Sequence, residues 1–346
     1  MTANNEDTIH LPGAPNVPGL RFRRFRGPDD YAAMTVVGNA SRLADGAEWV
    51  VTADDVARIY AHLVNTDPAT DMLVAEIDGE MAGFTRGEWE LEDETLHLYK
   101  FGLTLAPQWR GHGLRRAMLH WIESRLRQMA AGHPADAPKL LATNTWDKAT
   151  TLIALLEEEG YQPVRYFHRM TRPLDGPLPD FAMPAGLELR PARPEQYRAI
   201  WDAGNEAFRD HWGYSPATEE QYQEWLGNPA VFTPELWQIA WDVARNEIAG
   251  QVRTFIDRLE NEQYNRQRGY TEAISVRRPY RQRGLARALI AESLRVLRAQ
   301  GMTESALTVD SENISGATRL YEACGFAIDG RATAYRKPLE ATGDNP

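Results

Sequence analysis

Two eight-residue segments of this chain follow one pattern, R-x-x-G-L-x-R-A. The first is Arg110–Ala117 and the second is Arg281–Ala288, and each stands between a strand-like run and an apolar helical pattern. The first N–H groups of a helix have no partner within the helix, and together with the helix dipole they attract anions. The pattern is typical of a site that binds phosphate at the beginning of a helix.

The second copy carries residue types that suit a diphosphate. Gly284 lacks a Cβ where the diphosphate would approach, and the small Ala286 keeps the next helical turn clear. Arg281 and Arg283 add positive charge beside it. Neither G-x-G-x-x-G nor G-K-[ST] is present in this segment, which excludes a dinucleotide fingerprint and a P-loop there.

The two copies belong to a duplication of most of the chain. They lie 171 positions apart, and four further landmark pairs recur in the same order 165 to 167 positions apart: Pro28 and Pro194, Gly38 and Gly204, Met81 and Ile248, and Gly160 and Gly325. We therefore expect one domain over residues 20–171 and a second over residues 187–340. Residues 172–186 contain four prolines and two glycines and predict a linker, and residues 1–19 predict a flexible tail.

Hydrophobic periodicity in the second half predicts the order β-α-α-β-β-β-α-β-α-β. The predicted strands are 187–190, 237–243, 248–256, 270–276, 306–309 and 327–335, and the predicted helices are 195–208, 218–226, 285–297 and 315–323. The first half follows the same order, with residues 96–105 as the equivalent strand and 114–128 as the equivalent helix.

The composition is that of an ordinary soluble protein, with 43% hydrophobic and 25% charged residues. We expect a cytoplasmic protein, because no apolar run is long enough to span a bilayer, Met1–Gly19 lacks the features of a signal peptide, and Cys324 is the only cysteine. The net charge of −11 argues against a nucleic-acid partner and mildly favours cationic small molecules. We predict no metal, no membrane partner, and a monomer or homodimer.

Arg281-x-x-Gly284-x-Ala286 resembles motif A of the GNAT N-acetyltransferase superfamily, [RQ]-x-x-G-x-[GA]. Val309–Asn313 and Leu320–Phe326 resemble its motif B, N…LYE..GF. The resemblance implies an α/β (α+β) fold with two tandem domains, each a central mixed, mostly antiparallel sheet flanked by helices. It also implies that acetyl-CoA is the cosubstrate and that an acetyl group moves to a small-molecule amine by direct attack.

The resemblance further implies which residues bind acetyl-CoA. Backbone groups at the end of the strand before motif A would pair with the pantetheine arm, and motif A would hold the pyrophosphate. These positions are Ile274, Ser275 and Val276 for the arm, and Arg281, Gln282, Arg283, Gly284, Leu285 and Ala286 for the pyrophosphate. Asn313 matches the motif B asparagine near the pantetheine, and a turn or capping residue is an equal alternative.

Two residues match catalytic positions of the family. Tyr321 would protonate the departing thiolate, although its helical spacing alone predicts a core aromatic. Glu272 would accept the proton of the amine, although the family's glutamate often stands two residues earlier, where this chain has Tyr270. A solvent-facing strand residue is the alternative for Glu272.

A loop of the second half offers other candidates. Asp210 and His211 are rival bases, and Trp212 and Tyr214 would line the acceptor pocket or serve in hydrophobic packing. The loop resembles the segment of the family that binds the acceptor.

The first half lacks both groups for proton transfer. Leu156 stands at the position of Tyr321, and Phe101 stands at the position of Glu272. Arg115 replaces Ala286, although the register Gln108-x-x-Gly111-x-Gly113 also fits motif A. We interpret this half as a degenerate, supporting domain with a candidate second CoA cradle formed by Arg110, Gly111, His112 and Gly113.

Three functions fit these residues. The leading hypothesis is an acyl-CoA-dependent N-acyltransferase with its chemistry in the second half. A narrower hypothesis is acetyl transfer to a cysteinyl pseudo-sugar, and the non-enzyme alternative is a CoA-binding scaffold.

Overall fold

The computed structural model describes residues 8–313 and 316–339. The chain forms two compact units, which are not the two halves of the sequence. One unit contains residues up to 165 together with those from 332 onward, and the other contains residues 166–331.

The elements from the first half of the chain follow the predicted order, with two short additions, β1 and α3. They are β1 (Thr8–Ile9), β2 (Leu20–Arg23), α1 (Tyr31–Ala44), α2 (Ala53–Ala61), α3 (Pro68–Asp71), β3 (Met72–Ile77), β4 (Glu80–Glu92), β5 (Leu96–Leu105), α4 (Leu114–Ala130), β6 (Lys139–Trp146), α5 (Thr150–Glu158) and β7 (Gln162–Pro173).

The second half also follows the predicted order, without elements that match β1 and α3 and with one short helix that periodicity did not predict, α8. Its elements are β8 (Leu187–Arg190), α6 (Tyr197–Phe208), α7 (Glu219–Leu226), β9 (Gln238–Asp242), β10 (Glu247–Phe255), α8 (Arg258–Gln263), β11 (Arg268–Val276), α9 (Leu285–Ala299), β12 (Glu304–Asp310), α10 (Ala317–Ala323) and β13 (Ala327–Pro338). Helix α7 begins at a capping box in which the Thr218 side chain and Gln221 satisfy each other's backbone N–H groups.

Each unit contains a mixed, mostly antiparallel sheet. In the first unit β1 to β5 pair antiparallel in sequence order, β5 pairs parallel with β6, and β6 pairs antiparallel with residues 332–338 of β13. In the second unit β8 to β11 pair antiparallel, β11 pairs parallel with β12, and β12 pairs antiparallel with residues 167–173 of β7. The predicted fold class is confirmed, and each unit takes its last strand from the other half of the chain.

The unit boundaries differ from the sequence-based domain boundaries. Arg172 and Pro173, at the start of the predicted linker, still belong to β7, where they pair with Ser305 and Glu304 of β12. A partner so distant in sequence leaves no local signal. The predicted linker begins at residue 172, whereas β7 extends to Pro173 and the units divide between residues 165 and 166. In the predicted tail, Thr8 and Ile9 pair with β2, while residues 1–7 lie outside the described part. Ser315 of the predicted last helix and residue 340 also lie outside it.

In the second unit the sheet separates two packed faces. Helix α9 buries Leu285 and Leu289 against β9 and β10, and this pattern follows its helical periodicity. Helices α6 and α7 contribute a second, aromatic-rich cluster that includes Ile200 and Trp225. The side chains of β10 and β11 alternate between these faces. Glu272 lies on the side of α6 and α7, whereas Tyr321 packs in a cluster with Leu294 of α9.

Candidate functional site

The two parallel strands of the second unit diverge after a short paired stretch. Only residues 268–270 of β11 pair with β12, at residues 304–306. At Ala273 the φ angle is 49°, and the register with β10 shifts at the same place, which defines a β-bulge. Ser275 and Val276 pair with β10, and within the described residues their other edge has no partner on β12. This opening can pair with an extended ligand arm.

A turn with open space in front of it connects β11 to α9. Gln282 and Gly284 both have positive φ angles, 62° and 84°, and α9 begins at Leu285. A Cβ added to Gly284 would meet no atom within 4 Å. The Leu285 side chain is buried in the core, so this residue offers only its backbone N–H to a ligand. The predicted phosphate cradle therefore has the expected helix start and room for an anion.

The arginines of motif A differ in what they contact. Arg281 donates from all three guanidinium nitrogens: to the carbonyl of Val276 at 3.0 Å, to the Asp210 carboxylate at 2.7 Å, and to the carbonyl of Ala207 at 3.0 Å. Its main effect is to fix the turn. Arg283 is exposed and donates to the carbonyl of Ala185 at 3.1 Å.

The loop that follows α6 carries the candidate bases and acceptor-pocket residues, which lie in two different places. Asp210 accepts hydrogen bonds from Arg278 and Arg281, and these hold the pKa of its carboxyl far below the usual range, which makes it a poor base. His211 lies 4.5 Å from Phe208, ring centre to ring centre, and burial lowers its pKa.

The rest of that loop lies beside the diverging strands. The Trp212 ring lies 6.1 Å from the ring of Phe167, which pairs with Asp310 at the end of β12. Tyr214 is half-buried. Asn313 donates its backbone N–H to the carbonyl of Asp310 at 3.2 Å and so begins the turn that follows β12. The structure thus brings His211, Trp212 and Asn313 toward the same end of β12.

Glu272 lies at the point where the strands diverge. Its carboxylate accepts a hydrogen bond from the backbone N–H of Thr308 on β12, at 2.8 Å. Burial raises the pKa of Glu272 to about 7, although the hydrogen bonds from the backbone of Thr308 and Ala273 oppose this shift. A carboxyl with this pKa is half ionised near neutral pH, which suits a general base.

Tyr321 occupies the neighbouring helix α10 and is buried, with 7% of its surface exposed. Its ring packs edge-on against Phe326 at 6.4 Å. Its hydroxyl forms no hydrogen bond with the described residues. Burial, and then the charges of Glu272 and Cys324, hold the pKa of Tyr321 well above its usual value. The hydroxyl therefore keeps its proton and can donate it.

Arg253, which the sequence patterns did not indicate as a site residue, pairs in register with Glu272 from the adjacent strand β10. Its guanidinium carbon lies 5.0 Å from the ring centre of Trp225 and 5.7 Å from that of Trp201. A charged residue in the apolar run 248–256 was the signal that could have found it.

The first unit has the same turn before its helix α4 but lacks the residues for proton transfer. Gly113 has φ 81° and ψ −5°, close to the 84° and 1° of Gly284, and Gly111 matches the positive φ of Gln282. The structure therefore aligns Arg110 with Arg281, so the loop geometry does not support the alternative register that begins at Gln108.

Side chains occupy the space around this first turn. Arg115, at the position of Ala286, is buried and donates to the Thr151 hydroxyl at 2.9 Å. Arg110 forms an ion pair with Asp45 at 2.8 Å, as Arg281 does with Asp210. His112 is exposed, and a Cβ at Gly113 would lie 3.5 Å from Pro15.

The catalytic positions of the first unit are ordinary core positions. Phe101 and Leu156 are both buried in its hydrophobic core. Strand β5 pairs with β4 without a register shift, so no bulge corresponds to Ala273. The pair of groups suited to proton transfer therefore occurs in the second unit.

The fold and this site define a class of protein. Both halves of the chain match the model of the acetyltransferase (GNAT) family, over residues 41–137 and 197–326, so the chain belongs to this family and is a tandem GNAT N-acetyltransferase. It is similar to a mycothiol acetyltransferase of Thermobispora bispora, at 31% identity over 310 residues that cover 86% of this chain and 93% of the relative. A mycothiol acetyltransferase of Salinispora arenicola (strain CNS-205) is 29% identical over 87% of this chain and 91% of its own length.

A solved structure has the same architecture. The GCN5-related N-acetyltransferase from Sphaerobacter thermophilus superposes with a TM-score of 0.68 at 27% identity, over 96% of this chain and 98% of that one. Within residues 8–313 and 316–339, no helix combines the length and apolar character needed to cross a membrane. The same residues contain no group of three or more His, Cys, Asp or Glu side chains suited to a metal ion.

Proposed function

We propose that this protein transfers the acetyl group of acetyl-CoA to a small-molecule amine and that the second unit performs the chemistry. The observation that carries this proposal is the pair formed by Glu272 and Tyr321, which interact electrostatically where β11 and β12 diverge. The equivalent residues of the first unit, Phe101 and Leu156, cannot exchange protons.

The residues around the opening fit acetyl-CoA. The unpaired edge of Ile274, Ser275 and Val276 would hold the pantetheine arm by backbone hydrogen bonds, and the N–H groups from Gln282 to Ala286 would hold the pyrophosphate. When bound there, acetyl-CoA supplies an activated acetyl thioester. Arg281 keeps the turn in shape through its bonds to Asp210 and the backbone.

The two catalytic groups act in opposite directions: Glu272 accepts a proton and Tyr321 donates one. Glu272 accepts a proton from the ammonium form of the acceptor, directly or through a water molecule, and so produces the nucleophilic amine. The amine attacks the thioester carbonyl directly, its nitrogen–carbon bond forms, and the carbon–sulfur bond breaks. Tyr321 donates its hydroxyl proton to the departing thiolate sulfur. The nitrogen of the new amide then loses its second proton, which returns to the Tyr321 oxygen directly or through a water molecule. The loop with His211, Trp212 and Tyr214 borders the acceptor.

The test is release of free thiol when the purified protein turns over acetyl-CoA with a panel of primary amines. We expect release that depends on an amine and yields the N-acetyl product by mass spectrometry. Tight binding of CoA without turnover on any amine would instead establish the scaffold alternative.

A mycothiol synthase-like activity is the second candidate. The relatives named mycothiol acetyltransferase support it, because the match extends over 91% and 93% of their length. Assay with the cysteinyl pseudo-sugar acceptor alongside the amine panel separates the two candidates. A much higher kcat/KM for that acceptor than for every other amine would establish the narrower function.

Adding one methyl group at Gly284 tests whether the turn before α9 binds the pyrophosphate. Gly284→Ala is expected to weaken CoA binding at least about tenfold, because the added Cβ enters the open space that the pyrophosphate would occupy. It also costs on the order of 1 kcal/mol of folding stability, because an alanine at φ 84° is strained. Calorimetric titration with CoA measures the affinity.

Gly301→Ala is the matched control. Gly301 lies just beyond the other end of α9, with φ 81° and no atom within 4 Å of an added Cβ. It should lose similar stability and keep its CoA affinity. Equal loss of affinity in both variants would contradict the cradle. Gly113→Ala in the same titration shows whether the first turn contributes a second CoA site, since the number of bound CoA molecules would then fall.

A further inference from the structure

Arg253 is a charged residue in an aromatic environment on the acceptor side of the sheet. It extends from β10 toward α6 and α7, on the face where Gln251 donates to the carbonyl of Ile200 at 3.1 Å. Its guanidinium stacks on Trp225 and Trp201 at 5.0 Å and 5.7 Å, and these contacts stabilise the cation.

The guanidinium of Arg253 forms no hydrogen bond and no close ion pair with the described residues, and the one anion that acts on it is Glu272, from beyond ion-pair distance. Its Nη1 is fully buried without an acceptor, and no ion pair within 4.0 Å reaches it. Glu272 is its partner in register, but the Glu272 carboxylate turns to the N–H of Thr308 on β12. Leaving one guanidinium nitrogen buried without an acceptor is unfavourable, and Arg253 is half-buried, so its guanidinium is well suited to receive an anion from a ligand.

Arg198 shows that stacking on an aromatic ring does not by itself leave an arginine without an ion pair. Arg198 stacks on Tyr222 at 4.8 Å, on the same pair of helices. It is exposed, and it forms ion pairs with Asp202 and Glu219. Arg253 therefore differs from Arg198 in the absence of an ion pair with the described residues, not in the aromatic contact.

We propose that Arg253 binds a carboxylate of the acceptor, so that the substrates are small amines that also carry a carboxyl group. This inference rests on the proposed function, because it requires the amine to reach Glu272. Directly opposed residues of neighbouring strands have Cβ atoms about 4.5–5.5 Å apart. A compact amino acid can therefore present its carboxylate to Arg253 and its amine to Glu272. The net charge mildly favoured cationic small molecules, and the geometry adds a carboxylate to the expected acceptor.

The test compares each amino acid of a panel with its carboxamide, so that only the acidic group changes. For the wild type we expect kcat/KM to be at least about tenfold higher for the best acids than for their amides, mostly through KM. Arg253→Met keeps an unbranched side chain against the tryptophans and should abolish this ratio, and Arg253→Lys should restore part of it. The control Arg198→Met should keep the wild-type ratio.

The outcomes separate this inference from the proposed function. Turnover of amines without a preference for acids, or a preference that survives Arg253→Met, would overturn the role of Arg253 and leave the acetyltransferase function standing. Two further outcomes would contradict the proposed role of Arg253. One is an Arg253-dependent preference that is limited to aminoalkyl phosphates over amino alcohols. The other is an Arg253-dependent preference that is limited to a dicarboxylic acyl-CoA over acetyl-CoA.

If no amine is turned over, the proposed function fails and a binding measurement decides the inference. Thermal unfolding of the protein with CoA should then show stabilisation by the amino acids but not by their amides in the wild type, and by neither in Arg253→Met. Equal stabilisation of both proteins would overturn the inference.

Discussion

Replacing Tyr321 with phenylalanine is expected to lower kcat by about 100-fold or more, the lower range for loss of a general acid. The change removes only the hydroxyl and keeps the ring that packs against Phe326. Because the hydroxyl has no hydrogen bond with the described residues, folding stability should change little. CoA affinity should also change little, because the cradle contacts are backbone groups of other residues.

Steady-state kinetics with acetyl-CoA and the best amine, together with a CoA titration, measure both effects. Tyr161→Phe is the matched control, since it removes a buried tyrosine hydroxyl that donates to Glu123 at 2.9 Å in the first unit. That variant should lose stability and retain kcat. If Tyr321→Phe keeps kcat within about threefold of the wild type, the proposed role of its hydroxyl is wrong.

Replacing Glu272 with glutamine is expected to lower kcat/KM at pH 8 by about 100-fold and to flatten its pH dependence. In the wild type the rate should rise with pH through an apparent pKa near 7, because burial raises the pKa of Glu272 to about 7 and only the ionised form accepts a proton. The glutamine can still accept the hydrogen bond from Thr308, so the local structure should persist.

The same substitution should change stability in the opposite direction to activity. The pKa of Glu272 is raised from 4.5 to about 7, so its contribution to stability is present below pH 4.5 and is lost as pH rises through 7. At pH 8 the variant should therefore be more stable than the wild type by roughly 1–3 kcal/mol, a range that allows for the half-exposed side chain.

Denaturant unfolding at pH 5 and pH 8 measures this difference, which should shrink at the lower pH. Glu304→Gln, on the neighbouring strand, is the control because Glu304 forms an ion pair with Arg268 at 2.7 Å. It should keep both the rate and its pH profile. An unchanged pH profile in Glu272→Gln would exclude Glu272 as the base.

Local patterns predicted much of the second unit. The cradle turn follows from a glycine before a helical run, and α7 begins where the Thr218 capping box predicted it. Such features depend on residues that are close in sequence. The family resemblance also pointed to Glu272 and Tyr321, and the structure places the two within electrostatic reach of each other.

The features that were missed depend on partners distant in sequence. The bulge at Ala273 places an alanine at positive φ, which a run of strand-forming residues does not indicate. The hydrogen-bond partners of Arg281, Asp210 and Ala207, lie some 70 positions earlier in the sequence. The contact of Arg253 with Trp201 and Trp225 likewise depends on the packing of two helices against a strand. No periodicity in a single segment encodes these contacts.

The discontinuity of the first unit affects how the protein is made. Strand β6 receives its partner from residues 332–338, which leave the ribosome long after β6 itself. At about 5–20 residues per second, synthesis of residues 166–331 takes on the order of ten to thirty seconds. During that interval the edge of β6 is open to pairing with other nascent chains. Production of the intact protein in a cell should therefore depend on chaperones that shield this edge until translation ends.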